Sequence, residues 1–309
     1  MGIVVIGSTF VDIKGFPKNT YLPEGRNEGV VEYIHGGVSR NVVEDIANVE
    51  LRPIFVSVVN DNALGDEVVA RLSNHKIDTS YVRKLKDGMG TWLAVFDNNG
   101  DLAGSISHRP NLMPIYDILV DCGDEIFQKA DSVVVEADLD KEIIKKVLEL
   151  GQKYQKKIYG VVANMSIATE RRDFLQHFDC FVCNRQEAGI FFAENFDELN
   201  INELDTMVYE KVKAANIPSM VVTSGKDGAV WVDEKRNHGI ICANPVSTKD
   251  TTGAGDAFCA GVAIGLTYGK ELKDAVVIGT TLASSVIISK ENVCPRFLPR
   301  ELGLDMDAK

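Results

Sequence analysis

Short, continuous apolar runs separated by amphipathic helical patterns constrain this chain more than any other feature. Ser132–Glu136, Lys157–Val162, Phe178–Cys183 and Ser219–Thr223 read as buried strands. Lys141–Tyr154, between the first two, places Ile143, Ile144, Val147, Leu148 and Leu150 on one helical side. A further helix follows the third run from about Arg185. Uniformly apolar strands separated by helices indicate a parallel sheet covered on both faces, and hence an α/β fold.

The N-terminal third breaks this alternation. Residues 10–35 carry Gly15, Pro17, Pro23, Gly25 and Gly29, so no long helix fits there. Thr91–Phe96 and Leu102–Ser107 flank Asp97-Asn98-Asn99-Gly100-Asp101. Asn-Gly between alternating segments signals a hairpin. These features predict a small β lid built from about 10–35 and 84–110. Its segments are inserted between core elements, so residues 1–309 read as a single domain.

A chain of 309 residues with 45% hydrophobic residues can bury a large core without a disulfide or metal staple. The formal net charge of −12 argues against broad binding to nucleic acid or an anionic membrane. It leaves room for a phosphate-bearing ligand, because a local nest of backbone N–H groups holds an anion on an acidic protein. The first strand begins at Gly2-Ile3-Val4-Val5-Ile6-Gly7, and no apolar run approaches the roughly 20 residues of a membrane span. The expected location is cytoplasmic. Among the six cysteines only Cys180 and Cys183 are close, and no second pair or clustered histidine completes a zinc site. They read as small buried hydrophobes.

Chemistry is concentrated in Lys249-Asp250-Thr251-Thr252-Gly253-Ala254-Gly255-Asp256-Ala257-Phe258. An apolar helical pattern follows, through Ala260, Val262, Ala263 and Leu266, so the small residues open a helix. First-turn N–H groups lack intrahelical partners, and the helix dipole adds about half a positive charge there. Gly253 and Gly255 let a ligand approach the backbone. The result is an anion site with Asp256 facing whatever it holds. A carboxylate beside such a site suits phosphoryl transfer to an alcohol. The plainer reading is a capped helix with an aspartate in its first turn. The chain has no GxxxxGK[ST], no GxSxG, and no GxGxxG after its first strand. That disfavours a P-loop enzyme, a serine hydrolase and a dinucleotide-dependent oxidoreductase. A non-catalytic binding protein on the same fold is the other rival, although Asp256 is present.

Asp250 through Phe258 resembles the C-terminal signature of the PfkB (ribokinase-like) carbohydrate kinases. Gly36-Gly37-Val38-Ser39-Arg40-Asn41 is similar to the family's N-terminal motif. Asn184-Arg185-Gln186-Glu187 resembles its NxxE motif, and Val222 through Gly228 its T-x-G-x-x-G turn. The resemblance implies a ribokinase-like sheet with a β lid, ATP and Mg²⁺ as cofactors, and a sugar or nucleoside substrate. It implies Asp256 as base and Gly253, Ala254 and Gly255 as the anion hole. Asn184 and Glu187 would organise Mg²⁺ and phosphates, and Thr223, Gly225 and Gly228 would line the nucleotide site. Asp12, Gly36, Gly37 and Asn41 would bind substrate hydroxyls, and Glu136 would also reach the substrate. Without the resemblance, Asp12 reads equally as a turn residue and Asn184 as a helix cap.

It further implies K⁺ beside Asp250 and Thr252, completed by Lys290-Glu291-Asn292-Val293-Cys294-Pro295, and a homodimer paired through the lid. Val38 stands where ribokinases carry a sugar-binding lysine. Gly-Gly-Val-x-Arg-Asn, Gly7 to Asp12 and Leu93 to Gly100 look like the pseudouridine kinase branch. There Ser107, His108 or Asn111 would meet the uracil edge. The alternatives are a free ketose or aldose, with Arg40 in a surface or helix-end contact.

Overall fold

A computed structural model describes residues 2–247 and 249–305. In chain order the strands are β1 (Gly2–Ile6), β2 (Phe10–Pro17), β3 (Gly29–Gly36), β4 (Ile54–Asn60), β5 (Asp78–Leu85), β6 (Gly90–Phe96), β7 (Leu102–His108), β8 (Ala130–Glu136), β9 (Lys157–Val161), β10 (Cys180–Asn184), β11 (Met220–Thr223), β12 (Ala229–Val232) and β13 (His238–Ile241). The helices of two turns or more are α1 (Val38–Asn48), α2 (Ala63–Asn74), α3 (Pro114–Lys129), α4 (Lys141–Tyr154), α5 (Arg185–Phe192), α6 (Ile201–Ala214), α7 (Ala254–Thr267) and α8 (Leu272–Ile287).

Nine strands form the main sheet in the order β13-β12-β11-β10-β9-β8-β1-β4-β5. It is parallel from β11 to β5, and β12 and β13 add an antiparallel edge. Side chains alternate across it, as period-two geometry requires. Val4, Ile6, Val133 and Val135 face one core with Ile118, Ile144, Ala188 and Val208 of α3 to α6. Ile3, Val5, Val134 and Val182 face the other with Val43, Val68, Val262 and Val276 of α1, α2, α7 and α8. Strands buried on both faces must be apolar throughout, which is the pattern read from the sequence. Cys180 and Cys183 point into opposite cores and are both free thiols, so they share no ligand. The third strand starts at Cys180 rather than Phe178, because Phe178 packs inward beside Gly160 before the strand begins. Among the described residues, no helix is long and apolar enough to cross a membrane.

A second sheet, ordered β3-β2-β6-β7, stands apart from the first. Its β6–β7 hairpin turns at Asp97–Asp101, with Gly100 at φ 84° and Asp97 Oδ1 accepting from Asn99 N and Asp101 N. This is the expected hairpin, closed by an Asx turn.

The connections fix where a ligand can bind. From β1 the chain moves out to β4 and β5, then returns to β8 and continues the other way to β13. The reversal falls between β1 and β8, and open α/β sheets bind ligands outside the carboxyl ends of strands at such a switch point. The chain enters α1 there through Gly37, at φ 98°. An added Cβ on Gly37 would lie 2.8 Å from Phe10 N, so only glycine fits. That is why α1 begins at Val38.

Two glycines set how closely α7 approaches α8. A Cβ on Gly261 would sit 2.6 Å from Gly279 Cα, and one on Gly279 would sit 2.7 Å from Phe258 O. Gly261→Val should therefore overpack this crossing and lower stability by about 1–3 kcal/mol. A urea melt should show a lower midpoint with an unchanged slope; an unmoved midpoint would mean that the helices separate without cost.

Candidate active site

The expected anion hole is shaped by glycine geometry. Gly253 caps α7 at φ 82°, and a Cβ there would lie 1.9 Å from Asn292 O, so no other residue fits this position. Asp250 Oδ1 accepts from Thr252 N at 2.8 Å, and Ala254 N bonds Thr251 O at 3.2 Å. The intrahelical ladder opens with Ala257 N to Gly253 O, so the amides of Gly255 and Asp256 precede it. Around Gly255 a Cβ would meet open space, which leaves the approach to these amides clear.

Asp256 sits in the first turn of α7, half-buried in a wall of protein groups. Burial pushes its carboxyl up to about 7, and the negative charges of Glu136 and Glu187 push the same way. Asn41 and Arg40 oppose them. Asn41 Nδ2 donates to Asp256 Oδ2 at 2.7 Å, joining α1 to α7 across the switch point.

Asp12 lies on β2, opposite Ile34 and Trp92. A Cβ on Gly36 would be 2.8 Å from Asp12 Oδ2, so that glycine makes room for the carboxylate. Burial raises the Asp12 carboxyl, and Lys14 and Arg40 pull it back. Arg40 therefore acts on both Asp12 and Asp256, the two carboxylates expected on the substrate side.

The nucleotide-side residues also meet. Asn184 and Thr223 are register partners at the carboxyl ends of β10 and β11. Asn184 and Glu187 form a reciprocal capping box at the start of α5: Glu187 N donates to Asn184 Oδ1 at 2.8 Å, and Asn184 N donates to Glu187 Oε2 at 2.7 Å. Burial raises the Glu187 carboxyl. Gly225, at φ 54°, has open space where a Cβ would be, as a surface for a flat ligand needs. Gly228 differs, because its Cβ would strike Ile241 O at 2.1 Å, and its role is to let β12 and β13 close behind the turn.

Glu136 does not face the cleft. It is fully buried, and it accepts from Ser8 N, Ser8 Oγ and Ser39 Oγ, each at 2.9 Å. Its carboxyl ties the ends of β1 and β8 to the start of α1, and burial, reinforced by Asp138, lifts it to about 7. Arg40 is likewise inside rather than on the surface or a helix end, 1% exposed and ion-paired with Glu44. The three residues expected near a base are occupied elsewhere or exposed: Asn111 Oδ1 accepts from Met113 N, His108 pairs with Asp87 at 3.2 Å, and Ser107 lies on the exposed β7.

Lys14 and Glu44 escaped the sequence reading, and Arg40 and Asn292 were named there without the contacts they make here. Lys14 is 9% exposed on β2 and influences both Asp12 and Asp250. Asp-x-Lys along a strand puts both side chains on one face, and that spacing was its signal. Arg40 and Glu44 are an i,i+4 pair. Asn292 Nδ2 donates to His35 O at 2.8 Å and to Asn41 Oδ1 at 3.3 Å, a contact without a local signal.

Known proteins resemble this chain along most of its length. The pfkB family carbohydrate kinase profile matches residues 2–295. The chain is 32% identical over 294 residues to a guanosine-inosine kinase of Exiguobacterium acetylicum, covering 94% of this chain and 95% of that one. It is 22% identical over 269 residues to the pseudouridine kinase of Escherichia coli, covering 84% and 82%. The ribokinase of Arabidopsis thaliana, solved with ribose and ATP, superposes with a TM-score of 0.82 at 19% identity, covering 97% of this chain and 98% of that one. The chain belongs to the pfkB family of carbohydrate kinases, which phosphorylate sugar or nucleoside hydroxyls.

Proposed function

We propose that this protein is an ATP-dependent ribonucleoside kinase that phosphorylates the primary hydroxyl of the ribose. The observation that carries the reading is the Asn41–Asp256 contact beside the α7 amides, with Asp12 across the cleft. Asp12 and Asn41 are the groups to grip ribose hydroxyls. Asp256 takes the proton of the acceptor hydroxyl as its oxygen attacks the γ-phosphorus, and ADP leaves with the bonding electron pair. The amides of Gly255 and Asp256, with the N-terminal dipole of α7, stabilise charge on the transferred group. Lys14 adds a cation on the lid side.

Asn184 and Glu187 suit Mg²⁺ through water: Oε2 of Glu187 is committed to the cap, which leaves Oε1 for a water of the shell. Bound Mg²⁺ would neutralise phosphate charge there. For a monovalent cation the donor set fits less well. Asp250 Oδ1 caps Thr252, and the carbonyls of Glu291 and Cys294 accept from Ser289 Oγ and Asn48 Nδ2.

A purine ribonucleoside is the favoured acceptor, on the strength of the 32% identical relative. Pseudouridine is the second reading, favoured by the Gly36-Gly37-Val38-Ser39-Arg40-Asn41 segment and the more distant relative. A panel of guanosine, inosine, pseudouridine, uridine, ribose and fructose, compared by kcat/KM, decides between them. A nucleoside should exceed ribose by about 100-fold or more, since a site built for the base rejects a substrate lacking it. A free sugar at the head of the panel would overturn the nucleoside reading and leave the kinase.

Asp256→Asn should lower kcat by about 10²–10⁴-fold with ATP binding retained. For the native enzyme, kcat/KM should fall as pH drops below about 7, where Asp256 takes up a proton. The effect on stability runs the other way. A carboxyl raised from 3.8 to about 7 binds its proton more tightly in the folded state. Its contribution is therefore full below 3.8 and lost as pH rises through about 7. Asp256→Asn should raise Tm relative to the native protein more at pH 8 than at pH 5. An equal change at both would show that the carboxyl titrates normally.

The lid leaves Val30, Val31 and Tyr33 of β3 and Ile106 of β7 largely exposed. That surface supports the expected lid-to-lid dimer. Light scattering should give twice the chain mass, and Val31→Asp with Ile106→Asp should return it to one; a monomeric native chain would sink the idea.

A further inference from the structure

We propose that Arg40 is a positioning residue for the catalytic base, acting through Asn41. This rests on the reading of Asp256 as that base. Asn41 has two chemically different ends on one rotatable amide. Its Oδ1 accepts from Arg40 Nη1 at 2.7 Å and from Asn292 Nδ2 at 3.3 Å, and its Nδ2 donates to Asp256 Oδ2 at 2.7 Å. A guanidinium has donors and no acceptor, so it fixes which end faces it. Turning the amide over would set Nδ2 against the Arg40 N–H and Oδ1 against the Asp256 carboxylate. Both contacts would be lost together. Arg40 thereby holds a donor on the base.

The guanidinium is itself rigid. It is 1% exposed, and Nη1 also donates to His35 O at 3.0 Å. Its Nη2 pairs with Glu44, a fully buried carboxylate that Arg71 Nε holds from the far side at 2.9 Å. Arg40 cannot touch a substrate from this position. As a device for stability it is a poor one, because a buried ion pair is often no better than apolar residues of the same volume. As a device for orientation it has the required features: a planar fork, several fixed partners and no mobile stem. The other charges facing Asp256 are Glu136 from β8, Glu187 from α5 and Asp45 from α1, all acidic. Arg40 is the cation among these groups, and it opposes the rise that they and burial impose on the base.

A double-mutant cycle tests the idea: Arg40→Met, Asn41→Ala and the pair, with kcat, nucleotide Kd and Tm measured for each. Misplacing a catalytic contact by about 1 Å costs about 100-fold. We therefore expect Arg40→Met to lower kcat about 10- to 100-fold with nucleotide Kd unchanged. In the Asn41→Ala background the same substitution should change kcat little, because the route through the amide is already gone. If Arg40→Met does not fold, Arg40→Lys keeps a charge for Glu44, loses the fork, and completes the same cycle. Additive losses in kcat would overturn the positioning role and reduce Arg40 to a structural residue. Asp256→Asn, assayed alongside, separates the two claims. If it is inactive while the cycle is additive, only the Arg40 proposal falls; if it keeps full kcat, the base assignment falls and the proposal with it.

Discussion

A carboxylate held where water is scarce, that of Asp256, sets the demands on the groups around it. Burial, helped by two acidic neighbours, raises Asp256 to about 7 against the pull of Asn41 and Arg40. What keeps the group usable is a set of fixed donors and dipoles: the Asn41 amide, the Arg40 charge and the amino end of α7. Each must be within bonding distance, and each comes from a different stretch of chain. Gly261 and Gly279 let α7 lie tight on α8, and Gly253 lets α7 begin against the Asn292 carbonyl. The glycines thus act at a distance from chemistry by fixing where a helix starts.

The same logic runs through the rim of the main sheet. Its strands are apolar within the core and polar where they emerge. Glu136, Asn184 and Thr223 are the last residues of β8, β10 and β11, at the carboxyl rim. A polar group at that rim either bonds the next loop or faces the cleft. Glu136 takes the first course and organises Ser8 and Ser39. Its proton is held more tightly in the folded state, so its contribution is full below 4.5 and lost as pH rises through about 7. The fold accepts that loss near neutrality to pin the turn after β1.

Periodicity made the core legible. The strands from β8 to β11 and the helix α4 stand where their apolar runs place them, because burial on two faces leaves a plain mark on composition. The start of α7 was legible for a second reason, since glycine, a short loop and an acidic first turn are local features. The surroundings of Glu136 and Arg40 were not legible, because the direction of a polar side chain is set by its partners. Those of Glu136 lie 128 and 97 residues away in the chain. Asn292 meets Asn41 across 251 residues, and nothing near residue 292 announces it. The Asn98–Asn99–Gly100 turn was readable, whereas the partners of the lid residues Ser107 and His108 were not, since an edge strand has few neighbours to dictate contacts.

The loop from Ser289 to Arg296 has a consequence for how the molecule comes into being. Asn292 backs the anion hole with its carbonyl and steadies Asn41 with its side chain, and Cys294 N bonds Asp45 of α1 at 2.6 Å. The first helix of the chain is therefore completed by a segment synthesised some 250 residues later. Closing contacts of such separation is slow, because the entropy of the intervening loop is lost before the contact forms. A chain still folding can assemble its sheet while Asn41 lacks its Asn292 contact and Asp45 its bond from Cys294. The contacts that steady Asn41 and Asp45 are therefore complete only when these two distant parts of the sequence have met.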